Sequence, residues 1–207
     1  MSVIAVLGAT GGTGRRVVDG ALSRGHRVTA VVRRDGILAP APGLTVVIAA
    51  PTDRKSMAAL LRGHDAVISA LGAAGTTPTT LYSDTAAALV DAVPAGGRVV
   101  VLSSAGVATP VGANLVIGSF ALVLQRIMRN IYRDMLEMER RLAQSELRWT
   151  AVRPTALDDR PAGGHPRMSV GAQTRVGSRT SRADLADYLL DVLDDPATYG
   201  TVVAFSS

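Results

Sequence analysis

The chain has 207 residues, with 21 arginines against a single lysine, Lys55, three histidines and no cysteine. A disulfide framework, a thiol nucleophile and a zinc–thiolate site are therefore excluded, and the separation of His26, His64 and His165 gives no metal-ligand spacing. Hydrophobic residues at 47% and charged residues at 19%, with 21 Gly and ten Pro in no period, predict one soluble globular domain over 1–207 and exclude a disordered or fibrous chain.

Val3 to Leu7 is an unbroken run of β-formers followed by Gly8, the pattern of a strand buried on both faces. Helical spacing follows over Gly12 to Ser23, then strands near Arg27 to Val32 and Leu44 to Ile48, a helix over Arg54 to Leu61, and a strand at Ala66 to Ser69. The alternation continues with a helix over Thr80 to Val93, a strand at Arg98 to Leu102, a long helix over Leu115 to Gln144, and strands at Trp149 to Val152 and Val202 to Phe205. Strand and helix in alternation predict an α/β fold, a doubly wound parallel sheet with helices on both faces. Residues 156–180 read as a substrate-side loop containing a hairpin, and Ser181 with Asp184 reads as a capping box opening the last helix.

The net charge of +5 raises a nucleic-acid partner, but the arginines are spread along the chain. Their one cluster, Arg126, Arg129, Arg133 and Arg140, fits a solvated helix face, so no nucleic-acid partner is expected. The start of the chain has no basic region or small-residue cleavage site, which makes a cytoplasmic location the expectation. The densely apolar Leu115 to Leu124 is too short for a hydrocarbon core of roughly 30 Å. No membrane partner is expected, and the stretch reads as a buried helix start, a lid or a subunit contact in a monomer or homodimer.

Gly8-Ala-Thr-Gly-Gly-Thr-Gly14 lies between a predicted strand and a predicted helix, the context that a phosphate-binding glycine loop requires. Gly8 permits the tight turn, Gly11 lets backbone approach a diphosphate, and Gly14 lets helix and strand pack. Thr10, Gly11, Gly12, Thr13 and Gly14 then present the amide groups of a helix N-terminus. At the tip of the second strand an acidic residue would select NAD, whereas Arg33 and Arg34 suit the 2′-phosphate of NADP (NADPH). Ser103 and Ser104 leave the strand ending at Leu102 on the ligand-binding edge of the sheet. Tyr132 is a weaker proton donor candidate, since a phenol of pKa about 10 needs a neighbouring cation and Leu136 stands where Tyr-x-x-x-Lys would place one. Asp134 and Glu139 read as surface partners of helix arginines.

These motifs, with Gly63-His-Asp-Ala-Val-Ile-Ser69, Leu71-Gly72, Pro78-Thr-Thr80 and Leu147-Arg-Trp-Thr-Ala-Val-Arg-Pro154, resemble the atypical short-chain dehydrogenase/reductase superfamily of NAD(P)-binding proteins. The flavin reductase / biliverdin-IXβ reductase branch is the most similar. The resemblance implies a Rossmann fold, backbone contacts from Leu71 and Gly72 to the nicotinamide ribose, Arg153 and Pro154 flanking the nicotinamide, and Ser104 beside the site of hydride transfer. It also implies a small-molecule acceptor such as a flavin, quinone or tetrapyrrole. The chain departs from it at Ala156, where the branch has His, at Ala49-Ala50, where many relatives have Gly-Asp, and in lacking Tyr-x-x-x-Lys. Those losses leave open a non-catalytic NADP sensor similar to nitrogen-metabolite-repressor-like proteins, and argue against an epimerase.

Overall fold

The structure, a computed structural model, describes residues 1–34, 36, 38–73, 75–108, 122–163, 165–171 and 176–207. Its centre is β1 (Val3–Leu7), whose residues alternate between two faces of a sheet. Ile4 and Val6 enter one apolar cluster; Ala5 and Leu7 enter the other. The strand pairs in parallel with β2 (Arg27–Val32) on one side and β4 (Ala66–Ser69) on the other. Adding β3 (Leu44–Ile48), β5 (Arg98–Leu102) and β6 (Arg148–Pro154) gives the order β3-β2-β1-β4-β5-β6, all parallel. That is the order of a Rossmann-like fold. The sheet continues through β10 (Thr201–Ser206), parallel to β6, to β8 (Arg167–Val170), antiparallel to β10. The sheet is therefore mixed and mostly parallel.

Helices cover both faces, as two-sided strand burial demands. Val17, Val18 and Ala21 of α1 (Gly12–Ser23) pack with Leu185 and Leu189 of the last helix, α5 (Arg182–Asp191), on the face of Ile4. On the face of Leu7 lie Met57 of α2 (Arg54–Leu60), Leu89 of α3 (Leu81–Ala92) and Met138 and Leu142 of α4 (Arg129–Ala143).

Three local expectations change. The long helix divides into helical residues 122–127 and α4, with a break at Met128; residues 115–121 of its expected apolar start lie outside the described residues. The substrate-side segment forms no hairpin among the described residues. Instead β7 (Ala156–Asp158) pairs in parallel with β9 (Arg179–Ser181), while β8 joins the main sheet. Ser181 does cap α5, accepting from the Ala183 N–H, but Asp184 accepts from the Gly163 N–H instead of returning to Ser181. The cap is thus one-sided, and the acidic residue ties down the preceding loop. Among the described residues no helix is long and apolar enough to cross a membrane.

Candidate functional site

At the end of β1 the chain turns through Gly8, at φ +75°. A Cβ there would lie 2.7 Å from the Ala70 carbonyl oxygen, so the turn fits closely against the end of β4. The Gly11 N–H donates to the Gly8 carbonyl at 3.0 Å, and Gly11 is the N-cap of α1 without any side-chain cap. No acidic residue stands in the first turn. Within the helix itself, therefore, nothing caps the leading amides of α1 or offsets the positive end of its dipole. This is a place for an anion approached by backbone.

The loop forms the floor of a cavity of about 520 Å³ at the C-terminal edge of the sheet, where open α/β sheets bind ligands. Gly8, Thr10, Gly11, Gly12 and Thr13 line it from below. Arg33 lines one wall at the tip of β2, and Leu71 and Gly72 line another after β4. Gly14 lies beneath, where a Cβ would collide with the Gly8 carbonyl. Eight of the residues expected to hold the cofactor thus share one cavity.

The other expected residues lie elsewhere. Arg34 is exposed and outside the lining. Ser103 is buried, and its Oγ has no hydrogen-bond partner among the described residues. The Oγ of Ser104 accepts from the Gly106 N–H at 3.1 Å, capping a short 3₁₀ turn. Arg153 and Pro154 are buried at the end of β6. Arg153 is bound in bidentate fashion to Glu139, at 2.9 Å from Nε and 2.5 Å from the terminal nitrogen. None of these four lines the cavity.

Glu139 and Asp134 are not the surface partners of helix arginines that the sequence suggested; on α4 that role falls to Glu137, paired with Arg140 and Arg141. Glu139 and Asp134 are both buried, at 6% exposure each. Asp134 accepts from the N–H groups of Tyr82 and Ser83 and so caps the N-terminus of α3, which has no cap from its own Thr80. The Tyr82 hydroxyl in turn accepts from the Ala73 N–H at 2.9 Å, bracing the wall of the cavity. Burial pushes the Tyr82 phenol above its ordinary pKa, so it stays protonated in that position. The ring of Tyr132 packs against Gly106, close enough to its Cα to exclude any side chain there.

Two lining residues were not singled out in the sequence: Leu157, on β7 within the substrate-side segment, and Arg182, the first residue of α5. The start of α5 was readable from Ser181, but its position over the glycine loop depends on the pairing of β7 with β9. Beyond β3, Ala49 and Pro51 line the cavity and supply no carboxylate. Among the described lining residues, the ionisable side chains are Arg33 and Arg182 alone. The described lining therefore offers two cations and many backbone groups, and none of its side chains is suited to acid–base exchange near neutral pH.

The sequence pattern of a family described as NAD(P)H-binding matches residues 8–196. Several solved structures share the fold. A Burkholderia pseudomallei protein, proposed to be exported, is 27% identical, with all of each chain covered and a TM-score of 0.77. A proposed NADH-flavin reductase of Streptococcus pneumoniae TIGR4 is 20% identical, again over all of both chains, with a TM-score of 0.76. A wide-type short-chain dehydrogenase/reductase of Veillonella parvula DSM 2008, in complex with NADP, is 18% identical, covering 100% of this chain and 94% of that one, with a TM-score of 0.79. At identities of 20% and 18% the last two likenesses are of fold alone.

Proposed function

The chain belongs to the NAD(P)H-binding family, and from that premise we propose that it is an NADP-dependent oxidoreductase passing hydride to a small conjugated acceptor of the flavin, quinone or tetrapyrrole kind. The observation that carries the reading is that Arg33 and the uncapped N-terminus of α1 face the same cavity. The amides of Gly12 and Thr13 suit the diphosphate, and Arg33 suits the 2′-phosphate. Leu71 and Gly72 continue the cavity along the edge of the sheet and suit the nicotinamide ribose.

When bound, the reduced nicotinamide supplies the hydride, and the chain's own work is binding and orientation. A wall of Leu71, Ala73, Pro78 and Leu102 offers apolar surface, suited to a planar acceptor. With no acid–base residue lining it among those described, the reading favours acceptors that take their proton from solvent. Ser104 is the proposed hydroxyl beside the reacting atoms, with its Oγ already oriented by Gly106. Ser103, Arg34, Arg153 and Pro154 are proposed as supports around the cofactor rather than groups that enclose it. Membership of the flavin reductase / biliverdin-IXβ reductase branch is part of the same proposal.

Steady-state oxidation of NADPH against a panel of flavins and quinones tests this reading. Turnover on at least one of them, reduced tenfold or so by Ser104→Ala, is expected; tight NADPH binding without turnover on any acceptor overturns the enzymatic half. That outcome is the one expected of a non-catalytic NADP-binding redox sensor, a reading favoured by the lack of acid–base side chains among the described lining residues and by the use of Ser104 as a cap.

A further inference from the structure

β7 and β9 run in parallel with Asp158 opposite Ser181, so the residues that follow, Asp159 and Arg182, leave the small sheet side by side. Arg182 then extends across the N-terminus of α1. Its Cδ and Nε lie 3.0 and 3.2 Å from the place that a Cβ on Gly12 would take. Its guanidinium donates to one carboxylate oxygen of Asp159 at 3.1 Å. The other carboxylate oxygen of Asp159 is 3.2 Å from Arg16, on the first turns of α1. Arg16 also donates to the Gly12 carbonyl at 2.7 Å. One carboxylate therefore holds two arginines, one on each oxygen, beside the glycine loop.

From this arrangement we propose that Arg182 and Arg16 form a clamp for the diphosphate of the bound dinucleotide, and that Asp159 is the clamp's internal counter-charge, which the diphosphate displaces. The proposal rests on the reading of the cavity as a dinucleotide site. A Cβ on Gly12 would press on the Arg182 side chain, so the glycine lets Arg182 lie close over the start of α1. Asp159 is two-thirds exposed, and exposed ion pairs are weak because water screens them and two long side chains must be held still. A diphosphate carries more charge and accepts forked guanidinium donors, so it is the stronger partner for both arginines. Asp159 also repels it, which makes the carboxylate a brake on affinity.

The clamp addresses a part of the ligand that NADPH and NADH share. Its signature therefore differs from that of Arg33, which addresses the 2′-phosphate alone. Equilibrium titration of the full chain with NADPH and with NADH, at two salt concentrations, tests it, with thermal melting to verify folding. Arg182→Gln should weaken both nucleotides about tenfold and flatten the salt dependence, while Asp159→Asn, which leaves both arginines in place, should tighten both a few-fold. Wild-type affinity for both nucleotides in Arg182→Gln, or weaker binding in Asp159→Asn, overturns the clamp while leaving the dinucleotide reading intact. Failure of the wild-type chain to bind either nucleotide overturns the dinucleotide reading itself, and the clamp with it.

Discussion

The carbonyl oxygen of Gly8 occupies the place where a side chain on Gly14 would begin. Strand β1 and helix α1 can approach this closely only because position 14 lacks a Cβ, and that approach holds the α1 amides at the cavity floor. Gly14→Ala should therefore lower stability by about 1–3 kcal/mol through overpacking. It should also weaken both nicotinamide cofactors, because the loop must move away from the helix. Urea unfolding and nucleotide titration of the same variant check both effects; an unchanged unfolding midpoint would show that the close approach carries no cost.

Arg153 and Glu139 form a buried pair between β6 and α4, with side chains 10% and 8% exposed. Removing one partner strands the other charge in the core, at a cost of about 3–5 kcal/mol. Glu139→Leu and Arg153→Leu should each be that destabilising, and the double variant should recover much of the loss. Recovery of stability without recovery of NADPH affinity would assign Arg153 a cofactor role in addition to its structural one. Recovery of both would make it structural.

Tyr188 stacks on Phe205 with ring centroids 4.7 Å apart, and burial, aided by the charge of Asp195, raises its phenol to about 12. Below the ordinary phenol pKa of about 10 it is protonated in folded and unfolded chains alike, so stability is independent of its titration. Between about 10 and 12 the unfolded chain sheds the proton and the folded chain keeps it, so stability falls as pH rises. Arg98, lowered to about 10 first of all by burial, acts in the opposite sense over the same range. Tyr188→Phe keeps the stack and removes the phenol. The variant should lose less stability than the wild type between pH 9 and pH 11, measured as the change in urea midpoint.

The parallel core and the glycine loop were legible in the sequence because their signals are local. Runs such as Val99 to Leu102 declare strands buried on both faces, and Gly8, Gly11 and Gly14 fall where a strand gives way to a helix. What stayed hidden depends on contacts between distant residues. Asp134 and Glu139 sit on a helix rich in arginine, yet their partners are the α3 amides and Arg153. Arg182 is one basic residue among many until β7 and β9 pair and carry it over Gly12. The hairpin expected in the substrate-side segment was a misreading because β8 pairs with the C-terminal strand and β7 with β9, partners that no local pattern reveals.

The proposed assignment of NADP to the cavity above the glycine loop depends on Arg33. Its most direct test is equilibrium titration of the wild type and of Arg33→Ala with NADPH and with NADH. A lost charge-assisted contact to phosphate is worth about 1.5–3 kcal/mol, or roughly ten- to a hundredfold. The wild type should prefer NADPH, and Arg33→Ala should lose that factor for NADPH while binding NADH almost as before. Equal losses for the two nucleotides, or a wild type that prefers NADH, would contradict it.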